Sequence, residues 1–295
     1  MGRPQKGFRK EFVRVGFLAI QPEGPTAEQE LYLQAAGDAI EALHSGSLIV
    51  DDIQDGSQVR RGSPTLHLQH GIPKALNAGN WLYFHSFQII RKTGMPASTR
   101  LALYEAIEET LLEAHAGQAL DLGSQMNSRL VPAKMVEICQ ASLVMKSGAL
   151  FRLAVEMGAL IAEGNVQQVE FLRNLGLQTG LCLQMFDDLG NLNLRRPTAK
   201  HLEDLILRRP SFVWWTLAEE FPDRVSAFSN AVDLLPELTD LHELLLKTPL
   251  VEQGMLRATK LKNSILAEWS GSKLLSETAF VQFKELIERI SNAYK

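Results

Sequence analysis

The chain has 295 residues, 45% hydrophobic and 22% charged, with enough Phe, Trp, Leu and Ala to build a sizeable core, which excludes intrinsic disorder. A net charge of -4 gives no basic field, so nucleic acid is not an expected partner, and two cysteines, Cys139 and Cys182, are too few for a disulfide framework and fit a reducing compartment. With no apolar run of the roughly 18 residues a membrane span needs and no secretory signal at the start, a cytoplasmic protein is expected.

The first charged residues of note are Lys6 and Arg9. After the break at Gln21-Pro22-Glu23-Gly24-Pro25, the residues Leu31, Leu33, Ala36, Ile40, Leu43, Ser47 and Val50 recur at helical intervals and predict a helix over 28–50. That helix runs into Asp51-Asp52-Ile53-Gln54-Asp55, where Asp51 and Asp55 are four apart and share one helix face. Arg60-Arg61-Gly62-Ser63-Pro64 follows. Leu76, Asn80, Tyr83, Phe84, Phe87 and Ile90 predict a helix over 75–92, and the same period predicts helices over 99–121, 132–162, 166–189 and 211–219. Gly and Pro punctuate the gaps, and Pro25, Pro96 and Pro132 each precede a helical pattern, as first-turn prolines do. Segments 145–161 and 180–186 are apolar on nearly all sides and belong at the centre. The second of these runs into Asp187-Asp188-Leu189-Gly190-Asn191, which repeats the design of the first acidic run. No composition shift or repeat divides the chain, so a single all-α bundle over 1–295 is expected.

Like charges this close raise one another's pKa unless a cation lies between them. Oxygen-only ligands on rigid helices suit Mg²⁺, which keeps waters and shares substrate phosphates. One such run alone is as easily a solvated helix end; two matched runs far apart in sequence are not. Arg60 and Arg61 make sense beside a metal-bound diphosphate, because guanidinium forks match phosphate oxygens, although an isolated Arg-Arg is often just an exposed turn. Lys146 sits in an apolar helix, where an unpaired charge is costly.

Residues 44–84 resemble the first aspartate-rich region of the trans-isoprenyl diphosphate synthases, and within that family the geranylgeranyl diphosphate synthases of animals and fungi. The likeness continues, in family order, through residues 115–122, 146–155, 184–192 and 200–212. It implies an isoprenoid-synthase helical bundle around a central apolar cavity, acting as a homodimer. It also implies a Mg²⁺-dependent condensation of isopentenyl diphosphate with an allylic diphosphate. Carried onto this chain, Asp51, Asp55 and Asp187 would hold Mg²⁺; Arg60, Lys146, Ser147 and Gln184 would line the allylic side. Lys6, Arg9, His44 and Arg61 would bind isopentenyl diphosphate. Lys200 and Arg209 would complete the diphosphate shell, with Gln118, Asp121 and Asp188 behind it. Small residues at Gly46 and Ser47, with a deeper floor at Tyr83, Phe84 and His115, favour a twenty-carbon product.

The chain departs from the family pattern in three places. Arg208-Arg209 stands where a Gly-Lys pair is usual, Ser147 replaces a threonine, and the chain begins almost at Lys6. A farnesyl or longer product, a class I terpene cyclase, a non-catalytic regulatory subunit and a plain helical scaffold remain the alternatives.

Overall fold

Two long helices begin on the same device and end at the two acidic runs. In the computed structural model, which describes residues 7–192 and 202–293, α2 (Ala27–Gln54) opens on a capping box in which Thr26 and Gln29 satisfy each other's main-chain N–H groups. Asn165 and Gln168 do the same for α8 (Val166–Asn191). Around them run α1 (Phe8–Leu18), α3 (Leu66–His70), α4 (Ile72–Arg91), α5 (Ala97–Gly123), α6 (Pro132–Leu143) and α7 (Ala149–Ile161). Beyond residue 202 follow α9 (Glu203–Ile206), α10 (Phe212–Glu220), α11 (Val225–Asp233), α12 (Thr239–Lys247), α13 (Leu250–Gly271) and α14 (Glu277–Asn292). Among the described residues the only strands are β1 (Val59–Arg60) and β2 (Ser63–Pro64), a two-residue antiparallel pair. The all-α expectation holds. The predicted helix over 132–162 is present but carries a π-helical turn, Val144–Gly148, between α6 and α7.

Helix α7 lies at the centre, as its all-round apolarity predicts, with eleven of its residues buried. It packs closely on α1 and α8, and two glycines set the approach to α1. A Cβ on Gly16 would lie 2.0 Å from the Val155 carbonyl oxygen, and one on Gly158 would lie 1.9 Å from that of Val13. The two helices therefore pack main chain against main chain, and no larger residue fits at either position. Phe12, Phe17, Phe186 and Phe283 fill the surrounding core, each fully buried and each contributing about 1.5–3 kcal/mol through removal from water.

The same helix carries two buried charges, Arg152 and Glu156. Arg152 meets Glu113 of α5 at 2.5 Å and donates to Thr110, while Glu156 pairs with Arg173 of α8, which also reaches Glu109 at 2.7 Å. This network ties α5, α7 and α8 into register. The continuous helix Pro132–Ile161 is long and apolar enough to cross a membrane by composition alone. Yet 56% of its apolar window is buried inside the protein, and it holds these internal ion pairs, so it is a core helix.

Candidate active site

A cavity of 470 Å³ opens between the ends of α2 and α8, with walls from α5, the π turn and the segment 203–211. Both acidic runs face it. Asp51 projects from the last full turn of α2, Asp55 caps that helix, and Asp187 enters from α8. In each run the second aspartate turns inward: Asp52 and Asp188 are both 5% exposed.

The π turn supplies Lys146 and Ser147. A π turn inserts one extra residue into a helix, which re-aims the side chains that follow. Here it is clamped from two sides by glycines. A Cβ on Gly117 of α5 would lie 2.7 Å from Met145 Cβ, and one on Gly180 of α8 would lie 2.6 Å from the Ser147 carbonyl oxygen. The Lys146 ammonium then sits 3.2 Å from Asp121 and 3.9 Å from Asp51, so the lysine in the apolar helix is paired. The Ser147 hydroxyl donates to Gln184 at 2.8 Å, and the Gln184 amide donates to Asp188 at 2.7 Å. Gln184 is thereby fixed between a cavity-facing hydroxyl and a buried carboxylate.

The Arg60-Arg61 turn is the tip of the small hairpin. Arg61 and Gly62, with φ of 54° and 82°, form its two-residue connection, the left-handed geometry that suits tight hairpins. Arg60 is thereby laid back onto the first acidic run, Nε to Asp52 at 2.6 Å and Nη2 to Asp51 at 3.2 Å. Arg61 and Arg9 reach the cavity near His44. Burial first, then the charges of Arg9, Arg61 and Arg60, hold the His44 imidazole well below its ordinary pKa, so it is neutral at pH 7. Gln118 donates to Asp51 at 3.2 Å, and Arg209 reaches Asp55 at 2.6 Å.

At the apolar end the expected floor is present in part. Ser47, Tyr83 and His115 line the cavity, with the Tyr83 and His115 rings edge to face at 5.3 Å. Burial and the nearby Asp51 push the Tyr83 phenol up to about 12, so it stays protonated. Two expectations need correction. Phe84 is 74% exposed and edges an outer groove on the far side of Tyr83, because α4 turns it away from the bundle. Gly46 does not line the cavity: a Cβ there would meet the Gly79 carbonyl oxygen at 2.8 Å, so its small size serves the α2–α4 crossing. Lys6 and Lys200 lie outside the described residues.

Among the described residues, no three His, Cys, Asp or Glu groups converge closely enough to hold a metal ion by themselves. The donor set still fits Mg²⁺, because Asp51, Asp55 and Asp187 offer only oxygens from opposite walls of one cavity, and Mg²⁺ fills its remaining positions with water and substrate phosphate.

Residues 2–237 match the family model described as Polyprenyl synthetase. The chain belongs to that family. A geranylgeranyl pyrophosphate synthase of Clitopilus passeckerianus is 36% identical over 157 residues, covering 52% of this chain and 43% of that protein. A terpene synthase of Matsumurasca onukii is 31% identical over 163 residues, covering 55% of this chain and 50% of that protein. The chain thus spans about half the length of the curated relatives it matches. The crystal structure of a Corynebacterium glutamicum geranylgeranyl pyrophosphate synthase, complexed with isoprenyl diphosphate and magnesium, superposes with a TM-score of 0.82. That match covers 98% of this chain and 87% of that one at 21% identity, and it establishes the fold.

For a polyprenyl synthetase, the Arg208-Arg209 pair divides its work. Arg208 takes φ of 55°, the left-handed conformation that a glycine adopts freely, and its guanidinium staples the loop to the Met126 carbonyl, Ser229 and Asp233. The bend turns Arg209 into the cavity. One site residue has no counterpart in the sequence reading: Asp204, on the short helix α9, lines the cavity too. Burial and the nearby Asp121, Asp187 and Asp55, against the opposing pull of Lys146, push its carboxyl up to about 7. The signal in the sequence is the Glu203-Asp204 pair, four residues before Arg208-Arg209 in the similar stretch 200–212. Glu203 accepts from the Ser57 hydroxyl at 2.6 Å, which ties α9 to the end of α2.

Proposed function

We propose that this chain is a Mg²⁺-dependent head-to-tail prenyltransferase that condenses isopentenyl diphosphate with an allylic diphosphate to give geranylgeranyl diphosphate. The observation that carries the reading is one cavity with two groups of diphosphate-binding donors and an apolar pit. Arg60, Lys146 and Arg209 stand beside the carboxylates, while Arg9, Arg61 and His44 form a second group. Two diphosphates therefore have separate places. The names of the curated synthases support the same reading.

Mg²⁺ held by Asp51, Asp55 and Asp187 would supply positive charge for a departing diphosphate. Arg60, Lys146 and Arg209 add fixed donors around that charge, which favours breaking the bond between C1 and the diphosphate oxygen, whose electron pair leaves with the diphosphate. Arg9, Arg61 and His44 hold isopentenyl diphosphate so that its double bond forms the new carbon–carbon bond to C1. The proton lost from that unit passes to the released diphosphate, so no side-chain base is needed. Gln184 and Ser147, fixed on each other, position the allylic head. The apolar walls keep water off the cation. The growing tail runs past Ser47 to Tyr83 and His115, which end it at twenty carbons.

The reading of 1–295 as a single domain is supported by one apolar core among the described residues, from Phe12 of α1 to Ile290 of α14. The protein acts as a homodimer through the outer face of α4 and α5, where Trp81, Phe84, Leu101 and Leu112 are 56–74% exposed. It works in the cytoplasm, consistent with two buried, unpaired cysteines.

A terpene synthase is the second reading, favoured by the Matsumurasca onukii relative. The test is turnover of dimethylallyl, geranyl and farnesyl diphosphate with Mg²⁺, with and without isopentenyl diphosphate, and products sized by mass spectrometry. A twenty-carbon diphosphate that requires isopentenyl diphosphate is expected. Hydrocarbon or alcohol formed without it supports the second reading, and no turnover with any starter overturns both.

A further inference from the structure

Two of the three carboxylates that would hold a metal ion, Asp51 and Asp55, already face cations. Arg209 places Nη2 on Asp55 Oδ1 at 2.6 Å, and the two side chains are only 12% and 9% exposed. Asp51 faces Arg60 at 3.2 Å, Gln118 at 3.2 Å and Lys146 at 3.9 Å. The rest of the Arg209 guanidinium is anchored elsewhere. Its Nη1 donates to the Asp121 and Leu122 carbonyl oxygens, both at 3.4 Å, and its Nε lies 3.7 Å from Asp121 Oδ2. One nitrogen donates to the end of α5, Nε makes only a longer ionic contact there, and Nη2 reaches across to the acidic run.

We propose that Arg209 is a counter-ion that occupies Asp55 until a diphosphate arrives, so that metal and diphosphate load the cavity as one unit. This rests on the reading of the cavity as a metal–diphosphate site. A divalent cation arriving alone meets a partly buried carboxylate that is already neutralised, and displacing the guanidinium leaves that charge without its acceptor. A diphosphate brings oxygens that Nη2 can take instead. Asp55 is then released to the metal, while Asp121 and the two carbonyls keep the guanidinium where it is. Asp121 is thus a positioning residue: it also holds Lys146 at 3.2 Å and is itself fixed by the Ser142 hydroxyl at 3.3 Å. The exchange depends on arginine, because a lysine offers one ammonium group and cannot grip α5 and Asp55 with separate nitrogens. Linkage makes the effect reciprocal: whatever factor pyrophosphate adds to metal affinity, the metal adds to pyrophosphate affinity.

The test is equilibrium dialysis of the full chain at pH 8 with Mn²⁺ as the metal and inorganic pyrophosphate as the anion, both counted on each side of the membrane. The wild-type protein should bind Mn²⁺ weakly alone and about 30-fold or more tightly with pyrophosphate. Arg209→Gln should bind Mn²⁺ alone about tenfold more tightly, a gain of about 1.4 kcal/mol, and lose the same factor of coupling. Arg209→Lys should fall between. Arg61→Gln removes the same charge from the cavity without touching Asp55, and should bind Mn²⁺ alone as the wild type does. Thermal melts establish that each variant is folded. If folded Arg209→Gln binds Mn²⁺ no more tightly, or Arg61→Gln gains as much, the proposal is overturned while the metal–diphosphate reading stands. If the folded wild type binds neither pyrophosphate nor Mn²⁺ in either's presence, the metal–diphosphate reading itself falls.

Discussion

The two acidic runs read almost alike in sequence and stand among different partners. In the first, Asp52 is buried against the Arg60 guanidinium at 2.6 Å, and Asp51 and Asp55 each face a cation. In the second, Asp188 is equally buried, but among the described residues it accepts only from neutral donors, the Phe212 main-chain N–H at 2.7 Å and the Gln184 amide at 2.7 Å. Burial, with Asp204 and Asp187 nearby, pushes its carboxyl well above the usual range. The first run is therefore a set of carboxylates already paired with cations that a charged ligand could displace or share. The second offers Asp187 to the cavity, with the nearly buried, hydrogen-bonded Asp188 beside it. Paired aspartates mark both places; the neighbours brought in by folding decide what each member does.

Several substitutions would break or sharpen that contrast. The largest effect is expected where both runs act alike. Asp51→Asn and Asp187→Asn should each lower kcat by about 10³-fold or more with the melting temperature held, because each removes charge that faces the cavity. Steady-state turnover with geranyl diphosphate checks this.

Next come the two inward aspartates, where the runs should differ. Asp52→Asn strips a buried partner from Arg60 and should cost about 3 kcal/mol of stability. Asp188→Asn keeps the shape but offers one acceptor to the two donors that now sit on separate oxygens, and should cost about 1–2 kcal/mol. Denaturant unfolding at pH 7.5 compares them; equal losses would mean the two sites carry the same charge.

Stability against pH gives a smaller signal. Asp188 and Asp204 have folded-state pKa values raised above the unfolded value, so the folded state binds more protons between about pH 4 and pH 7. Through these groups stability rises as pH falls across that window and declines again toward neutrality. Asp204→Asn should flatten this slope and raise the melting temperature of the ligand-free protein at pH 8 by a few degrees, about 2–4 °C per kcal/mol for a chain of this class. A melting temperature unchanged from pH 5 to pH 8 in both proteins would contradict the assignment.

The smallest effect concerns His44. Its imidazole is held neutral by burial and by three arginines, and a diphosphate among those arginines should restore part of its proton affinity. Binding of isopentenyl diphosphate at pH 7 should then take up a fraction of a proton, read by calorimetry in two buffers of different ionisation heat, and His44→Gln should abolish that uptake.

Helical periodicity made most of the architecture legible. The patterns over 28–50, 75–92 and 166–189 become α2, α4 and α8, with α2 and α8 running on into the acidic runs and α4 starting three residues earlier. What periodicity could not carry is the π turn at Val144–Gly148, since one inserted residue leaves the apolar spacing of 132–162 intact while changing where Lys146 and Ser147 point. Nor could it separate Phe84 from Tyr83: adjacent residues on a helix face about 100° apart, and only the packing of α4 shows which one looks inward. Gly46 was read for its size near the cavity, yet the same size is demanded by Gly79 on the neighbouring helix. Asp204 escaped because its significance lies in the company of Asp121, Asp187 and Asp55, residues distant in the chain.

The most direct measurement is a crystal structure of the protein with Mn²⁺ and an unreactive allylic thiolodiphosphate, with the metal located by its anomalous scattering. The expected result is Mn²⁺ between the diphosphate and the carboxylates of Asp51, Asp55 and Asp187, with Arg209 Nη2 on a phosphate oxygen in place of Asp55. A diphosphate bound without metal, or metal held away from these three carboxylates, would contradict it.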